Sequence, residues 1–183
     1  MIPSGASGHP TARRLLDAAM VIINRDGVDA LTVRSLVDES GVSNGSVYHH
    51  LGSLDRLLSL VADEAIRIWA EAFLSALHGS GYASAAAADL AWSRAHPGLA
   101  GLVETNGWRG DGVHSQHFVD ELRAWLDAER LALAAPMHIV TAVLIGPLAE
   151  LRRLERHTGR HPTKRDFAVL QVAVTGALAA LTV

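Results

Sequence analysis

The residues best suited to chemistry form one short run of small or hydrogen-bonding side chains: Ser43, Asn44, Gly45, Ser46, Tyr48 and His49. Side chains of these types can donate hydrogen bonds to phosphate oxygens and to base edges in a DNA groove. The run falls on the second of two short helices that the sequence predicts, and only three or four residues separate the two. This spacing is typical of a helix-turn-helix.

The connection between the two helices has the residues that such a turn needs. Gly41 can adopt a positive backbone dihedral angle at little cost, and Val42 can fill the space between the helices. Ser43 is suited to cap the N–H groups of the second helix, and Thr32 those of the first. The sequence therefore predicts that the polar run is presented on a small, fixed scaffold.

Two other kinds of chemistry have partial signals. Residues 41–45 match G-x-S-x-G, the nucleophile motif of α/β hydrolases, but that motif requires a strand before the serine and a helix is predicted here. Among ten histidines, His114 and His117 stand three residues apart at a predicted helix start, where both could face a metal ion. No further ligand spacing supports a metal, so we predict neither metal nor cofactor and no enzyme activity. A helical enzyme or metal-binding module that uses histidines of the C-terminal part remains the alternative.

Helical periodicity extends over the whole chain, and no alternating strand pattern with hairpin turns follows Gly81. The predicted all-α fold has an N-terminal three-helix domain and a C-terminal helical domain. We assign residues 1–9 to a flexible arm, 10–55 to the helix-turn-helix domain and 56–183 to a regulatory and dimerisation domain. Beyond the helix-turn-helix, the predicted helices cover 53–77, 83–95, 97–105, 113–134, 137–156 and 163–181, and the first helix covers 11–24.

The charge balance limits the kind of nucleic-acid binding that is possible. The net charge is −3, and residues 1–60 contain five arginines against six acidic residues. A nearly neutral domain cannot bind phosphates indiscriminately, although a few well-placed donors could still dock it on DNA. The chain has no cysteine, which fits a cytoplasmic protein.

Two long stretches lack charged residues, namely 131–149 and 167–183. Their prolines, polar residues, alanines and glycines favour a buried pair of helices over membrane spans. Because one protomer rarely covers two such helices, we expect a second subunit to complete a four-helix, two-fold symmetric interface, with a membrane-associated dimer as the alternative. The predicted interface residues are Val143, Pro147, Leu151, Leu170, Val174 and Leu178.

Large aromatic residues and a few polar ones in the second half suit a mostly apolar pocket for a small effector. The candidate pocket residues are Trp69, Phe73, Trp92, His96, Trp108, His117, Phe118, Trp125 and Thr141. For any single aromatic residue, a place in the core is the simpler interpretation.

Residues 10–60 resemble the DNA-binding domain of the TetR family of transcriptional regulators. The resemblance rests on Leu31-Thr-Val-Arg-Ser-Leu36, Gly41-Val-Ser-Asn-Gly-Ser-Val-Tyr-His-His-Leu51 and Leu57-Leu58. It implies a homodimer whose recognition helices enter successive major grooves of a palindromic operator in double-stranded DNA. It also implies a small ligand in the C-terminal domain that releases the DNA, so we expect a repressor.

The resemblance also implies roles for individual residues. Thr32 and Ser43 would cap helices and touch phosphates, and Arg34, Asn44, Gly45 and Ser46 would lie nearest the bases. Tyr48, His49 and His50 would bind the DNA backbone or flanking bases.

Two departures from the family pattern have different consequences. Leu51 replaces a phenylalanine and preserves the core, whereas Leu54 replaces a lysine that binds phosphate. We therefore expect a shallower salt dependence than is usual for the family, with Arg56, Arg13 or Arg14 as candidate substitutes for the lysine.

Overall fold

The computed structural model describes residues 10–106 and 112–181, and its regular structure there is helical, which confirms the predicted all-α class. A short 3₁₀ turn, Val28–Ala30, follows the first helix. The α-helices of the described residues are α1 (Pro10–Asp26), α2 (Val33–Ser40), α3 (Asn44–Leu51), α4 (Leu54–Ser80), α5 (Tyr82–Ala95), α6 (Pro97–Asn106), α7 (Val113–Glu129), α8 (Met137–Thr158) and α9 (Lys164–Ala180).

Helix α7 departs most from the prediction, because it ends at Glu129 and not near Ala134. Arg130 and Ala132 follow with positive φ angles of 56° and 50°, which stop the helix without a glycine. The amide of Ala132 then donates to the carbonyl oxygen of Leu178 in α9 at 3.1 Å. A long-range hydrogen bond thus fixes this turn, and the local periodicity of the sequence contains no sign of it.

The first of two compact units holds the described residues up to Ile66 together with His96–Gly112. Helix α1 supplies its centre, with Leu15, Ala19 and Ile23 fully buried. In the connection after α1, Leu31 is buried whereas Val28 is 39% exposed. The 3₁₀ turn directs that side chain outward.

Helix α6 packs on α1 within this unit, and its approach is unusually close at one residue. A Cβ atom added to Gly98 would lie 1.9 Å from the carbonyl oxygen of Ile23 and 2.8 Å from the Cα of Asn24. Both neighbours are backbone atoms, which cannot move aside as a flexible side chain could. Gly98 is therefore required for this contact between α6 and α1.

The second unit comprises Arg67–Ala95 and Val113–Val183. Within it α5 packs against α8 and α9, which also pack against each other. The Tyr82 hydroxyl donates to the carbonyl oxygen of Leu144, and the Gln171 side chain accepts from the amide of Ala83 at 2.8 Å. Burial, together with the charge of Asp89, raises the pKa of Tyr82, so the phenol keeps the proton that it donates.

One fully buried carboxylate links three helices of the second unit. Asp89 of α5 accepts a hydrogen bond from the indole nitrogen of Trp69 in α4 at 2.8 Å. The same oxygen, Oδ1, pairs with the guanidinium of Arg152 in α8, whose side chain is only 11% exposed. Charges buried in this way tolerate little change, because removal of one member of the pair leaves a charge of the other sign in a low-dielectric site.

The division into units differs from the predicted domain boundary between residues 55 and 56. The first unit continues along α4 to Ile66, and it regains His96–Gly112 after α5. The close packing of α6 on α1 accounts for this second segment. A single boundary between two continuous segments could not assign His96–Gly112 to the first unit.

Among the described helices, none combines the length and the hydropathy that crossing a bilayer requires.

Gly98→Ala should lower the free energy of unfolding by about 1–3 kcal/mol, because the added methyl group meets fixed backbone. Gly101 lies in the same helix, and nothing surrounds its Cβ position within 4 Å. Gly101→Ala should therefore stabilise the protein by about 0.5–1 kcal/mol. Urea denaturation of both variants is the measurement, and equal effects would contradict the close packing at residue 98.

Asp89→Asn should cost about 3–5 kcal/mol, because the amide retains an acceptor for Trp69 but removes the buried negative charge that faces Arg152. The matched control is Glu150→Gln, which breaks the pair of Glu150 with Arg153, two side chains that are 53% and 59% exposed. That change should cost less than about 1 kcal/mol. Urea denaturation at one fixed protein concentration compares them, and a loss at Asp89 no larger than the loss at Glu150 would refute the role of the pair.

Candidate nucleic-acid interface

The turn between α2 and α3 consists of Gly41, Val42 and Ser43. Gly41 has a φ of 66° and its amide donates to the carbonyl oxygen of Val37, which ends α2 in a left-handed cap. Val42 is buried. Arg14 of α1 reaches the carbonyl oxygen of Ser40 at 2.8 Å and holds the end of α2 from outside. These contacts fix where α3 begins.

Side chains cap both helices at their N-termini. Thr32 accepts from the amide of Ser35 at 3.0 Å, while the Ser35 hydroxyl accepts from the amide of Thr32 at 2.9 Å. Ser43 accepts from the amide of Ser46 at 3.4 Å, and the hydroxyl groups of these two serines lie 3.0 Å apart. The predicted capping roles of Thr32 and Ser43 are therefore confirmed.

Helix α3 has one buried and one polar face. Val47 and Leu51 are buried and form the face that meets the core. Among the predicted recognition residues, Ser46 and His50 are half-buried, and the rings of His49 and His50 meet edge to face at 5.0 Å. The predicted recognition residues that are exposed are Thr32, Arg34, Ser43, Asn44, Gly45, Tyr48 and His49.

Gly45 lies on the exposed face, and no atom lies within 4 Å of the place where its Cβ would be. Its backbone has no positive φ angle either. Neither packing nor backbone conformation in the protomer therefore requires a glycine at this position. A ligand that approaches the helix backbone closely would require one.

Most arginines of the first unit are already engaged within the protein. Arg13 pairs with Asp17 at 2.9 Å and with Glu64 at 3.2 Å. Arg25 pairs with Asp26 and Glu39, and hydrogen bonds to these two carboxylates raise its pKa. Arg14 donates to the carbonyl oxygen of Ser40. Arg13 and Arg14 are therefore poor substitutes for the missing lysine.

Two cations remain available on the helix-turn-helix side. The Arg34 side chain is 93% exposed, and its nearest acidic partner, Asp38, is 4.0 Å away. Within the described part of the chain, no carboxylate lies within 4.0 Å of the Arg56 side chain. Leu54, in the place of the lysine, borders a small apolar hollow with Val33, Tyr48 and Leu51. The first residue of α4 therefore contributes an apolar contact beside α3 and not a positive charge.

The predicted effector residues come together only in part. Trp69 stacks on Phe73 with ring centroids 5.0 Å apart, and Phe118 lies 5.0 Å from Trp69 and 6.1 Å from Phe73. We call these three buried side chains the aromatic cluster. In the second unit Trp92 is also buried, Trp125 and Thr141 are half-buried and His117 is exposed; His96 belongs to the first unit, and Trp108 lies outside the described residues.

The predicted interface residues also divide into two groups. Val174 and Leu178 are 3% and 0% exposed within the protomer, so their own chain already covers them and the interface prediction is corrected for these two. Helical periodicity identified α9 as apolar, but it could not tell which side faces inward. Val143, Pro147, Leu151 and Leu170 are half-buried, and the large apolar residues that α8 and α9 expose are Ile139, Leu154, Val169 and Val172, none of which was among the predicted residues.

The signals for other chemistry find little support in the described residues. No group of three or more histidine, aspartate or glutamate side chains there could hold a metal ion. His114 is half-buried, and His117 is exposed. A helix precedes Ser43 and not a strand, so the G-x-S-x-G match is a helix cap.

The sequence interpretation overlooked the link of Asp89 to Trp69 and Arg152. A lone aspartate in the alanine-rich stretch 83–92 was a usable signal, because an acidic residue on an apolar helix is seldom buried without a partner.

Comparisons with known proteins agree with this geometry. Residues 15–61 match the family model of bacterial regulatory proteins of the tetR family. The chain is 34% identical over 137 residues to the HTH-type transcriptional repressor KstR2 of Rhodococcus jostii (strain RHA1). That match covers 74% of this chain and 60% of the relative, so the chain matches less than two thirds of the relative's length.

Two solved structures share the fold. A protein of unknown function from Rhodococcus sp. RHA1 superposes with a TM-score of 0.71 at 19% identity, over 98% of this chain and 100% of the other. A candidate tetR family transcription regulator from Shewanella sp. PV-4 gives a TM-score of 0.67 at 17% identity, over 93% and 99% of the two chains. At these identities the likeness is one of fold alone.

Proposed function

This chain belongs to the TetR family of bacterial regulatory proteins, and from that premise we propose that it is a transcriptional regulator controlled by a ligand. It acts in the cytoplasm as a repressor, binds a palindromic operator in double-stranded DNA as a homodimer, and leaves the DNA when a small, largely apolar effector binds. The observation that carries the proposal is the exposed polar face of α3, which begins directly after a rigid three-residue turn.

In this proposal the start of α3 reads the bases. Asn44 and Ser46 can hydrogen-bond to base edges in the major groove. Gly45 lets the helix backbone lie close to the groove floor, a role that fits the open space at its Cβ position. Tyr48 is 56% exposed and can donate its hydroxyl proton to a phosphate oxygen from the next turn of the helix.

Docking on the backbone relies on few full charges. Arg34 and Arg56 are the available guanidinium groups, while Thr32, Ser43 and Tyr48 offer neutral donors. Neutral donors fix the position of a protein on DNA but release few counterions. The second protomer then provides the same set of contacts again on the other half-site.

A second copy of the chain is the natural cover for the exposed sides of α8 and α9. Helix α8 exposes Ile139, Ala142 and Gly146, and α9 exposes Val169 and Val172 near several exposed alanines. From residue 167 to its C-cap at residue 181, α9 contains no charged side chain. Apolar helix faces of this kind pack as a four-helix interface when two copies meet.

The proposed effector binds in the second unit beside the aromatic cluster. An effector can release DNA only if it favours the conformation that does not fit the operator. Helix α4 is the direct covalent route for that change, because its residues up to Ile66 belong to the first unit and those from Arg67 to the second.

Gly45→Ala should change stability and DNA binding in opposite directions. Folding should gain up to about 0.5–1 kcal/mol, because alanine is the better helix former and meets open space. Affinity for operator DNA should fall at least about tenfold, which is 1.4 kcal/mol, because the methyl group holds the helix away from the bases. Thermal melting and fluorescence anisotropy measure the two effects.

The control is Gly79→Ala, which also adds a methyl group to open space in a helix but lies in the second unit. It should leave DNA binding unchanged. Undiminished affinity of the Gly45 variant would remove α3 as the reading helix.

The function itself is tested by selecting bound DNA from a random pool with the full chain. We expect a two-fold symmetric motif, and enrichment of no common sequence would contradict the regulator. Asn44→Ala should change the selected bases, because its amide can pair with a base edge at a cost of about 1–3 kcal/mol when lost. Tyr48→Phe should leave the motif intact and weaken binding to every sequence alike.

Competition between the selected motif and scrambled DNA separates the two roles. If both variants weakened the motif and the scrambled DNA equally, the assignment of Asn44 to base reading would be wrong. Arg123→Gln, on an exposed position of α7, is a control that should alter neither measurement.

A further inference from the structure

A groove of about 370 Å³ lies at the junction of α8 and α9. Its walls come from the last two turns of α8 (Leu151 to Thr158), from the connection Arg160–Pro162, and from Asp166 in the first turn of α9. We call it the α8–α9 groove. Its volume falls in the range of small-molecule sites, and it lies wholly within the second unit.

The surface of this groove is mostly apolar. Leu154 is 41% exposed, a large fraction for a leucine on a helix, and Leu151 and Pro162 are half-buried beside it. These three side chains offer hydrocarbon contact to a ligand. An apolar chain laid on them would leave water, which is favourable in proportion to the area that it covers.

Both carboxylates of the groove are already occupied by donors of the protein. Glu155 accepts from the Arg94 guanidinium, with its Nε at 2.8 Å, and lies against the His161 ring. Burial acts to raise the pKa of Glu155, but the hydrogen bonds from Arg94 and His161 outweigh it and the pKa is lowered. Asp166 accepts from the amide and hydroxyl groups of Thr163, and these bonds lower its pKa.

The cations around the groove are differently placed. Arg160, Lys164 and Arg165 are exposed, and within the described residues none of them has a carboxylate within 4.0 Å, although the charges of Arg160 and Arg165 help to lower the pKa of Asp166. Arg160 lines the groove itself. Residues 150–166 contain six arginine and lysine residues against three acidic ones, although the whole chain has a net charge of −3. The groove is thus an apolar surface beside a local excess of positive charge.

We propose that the α8–α9 groove binds a small amphipathic anion, with its hydrocarbon chain on Leu151 and Leu154 and its carboxylate beside Arg160. A cationic head group would be repelled by the exposed charges of Arg160, Lys164 and Arg165, whereas the Glu155 carboxylate is already paired with Arg94. A neutral ligand would gain the apolar contact but not the ionic one. This site is separate from the aromatic cluster, and it does not depend on DNA binding.

Isothermal titration calorimetry of the full chain without DNA tests the proposal with octanoate, octanol and octyltrimethylammonium. Octanoate should bind at least tenfold more tightly than the other two. Butyrate, which lacks four methylene groups, should bind at least tenfold more weakly than octanoate. Preference for the cation, equal binding of octanoate and octanol, or no binding of octanoate would each overturn the proposal.

Variants then locate the binding. Arg160→Gln should lower the octanoate affinity at least fivefold and leave octanol unchanged, whereas Leu154→Ser should weaken both ligands. Arg123→Gln removes an exposed arginine elsewhere in the second unit and should change nothing. Both groove residues are on the surface, so melting curves should confirm that the variants are folded.

Two results would assign the binding elsewhere and so contradict the groove. Octanoate affinity that is unaffected by Arg160→Gln but lost on Phe118→Leu would place the ligand at the aromatic cluster. Leu154→Ser that produces monomers on gel filtration would make this surface a contact between copies of the chain. Neither result bears on DNA recognition, which the selection experiment decides by itself.

Discussion

The second unit depends on a charge that water cannot reach. Asp89 is enclosed, and one of its oxygens holds both the Trp69 indole of α4 and the Arg152 guanidinium of α8. Hydrophobic side chains can slide past one another at small cost, but a buried ion pair has few arrangements that satisfy it. The carboxylate therefore fixes which faces of three helices meet, and the aromatic cluster beside Trp69 inherits its position from that choice.

The first unit reaches its precision by other means. The turn and the caps of α2 and α3 use short side chains. Arg13, Arg14 and Arg25 bind groups of the same chain. Few full charges then remain for a partner. Such a surface binds weakly to an arbitrary polyanion, so most of its affinity must come from a partner whose hydrogen-bonding groups match its own.

Local features could be predicted from the sequence, and features fixed by long-range contacts could not. Gly41, Thr32 and Ser43 act on neighbours within four residues, and their roles followed from spacing alone. The end of α7, by contrast, depends on the carbonyl of Leu178, and the burial of Val174 depends on which side of α9 meets the rest of the unit. The available arginines were also hidden from the sequence, since the engagement of Arg14 and Arg13 requires the folded chain. Periodicity shows that a helix has an apolar side, but only the packed structure selects the partner for that side.

Gly98 lets α6 pack directly on the backbone of α1. The first unit therefore combines two segments that are separate in sequence. The chain leaves this unit within α4, builds α5 in the second unit, and returns to place α6 on α1. A fragment that stops at Ile66 would lack α6 and would expose the surface that α6 covers on α1. The helix-turn-helix of this protein is for that reason not an independent module. A chimaera that exchanges only residues 10–55 would transfer the helix-turn-helix without α6, which packs on α1.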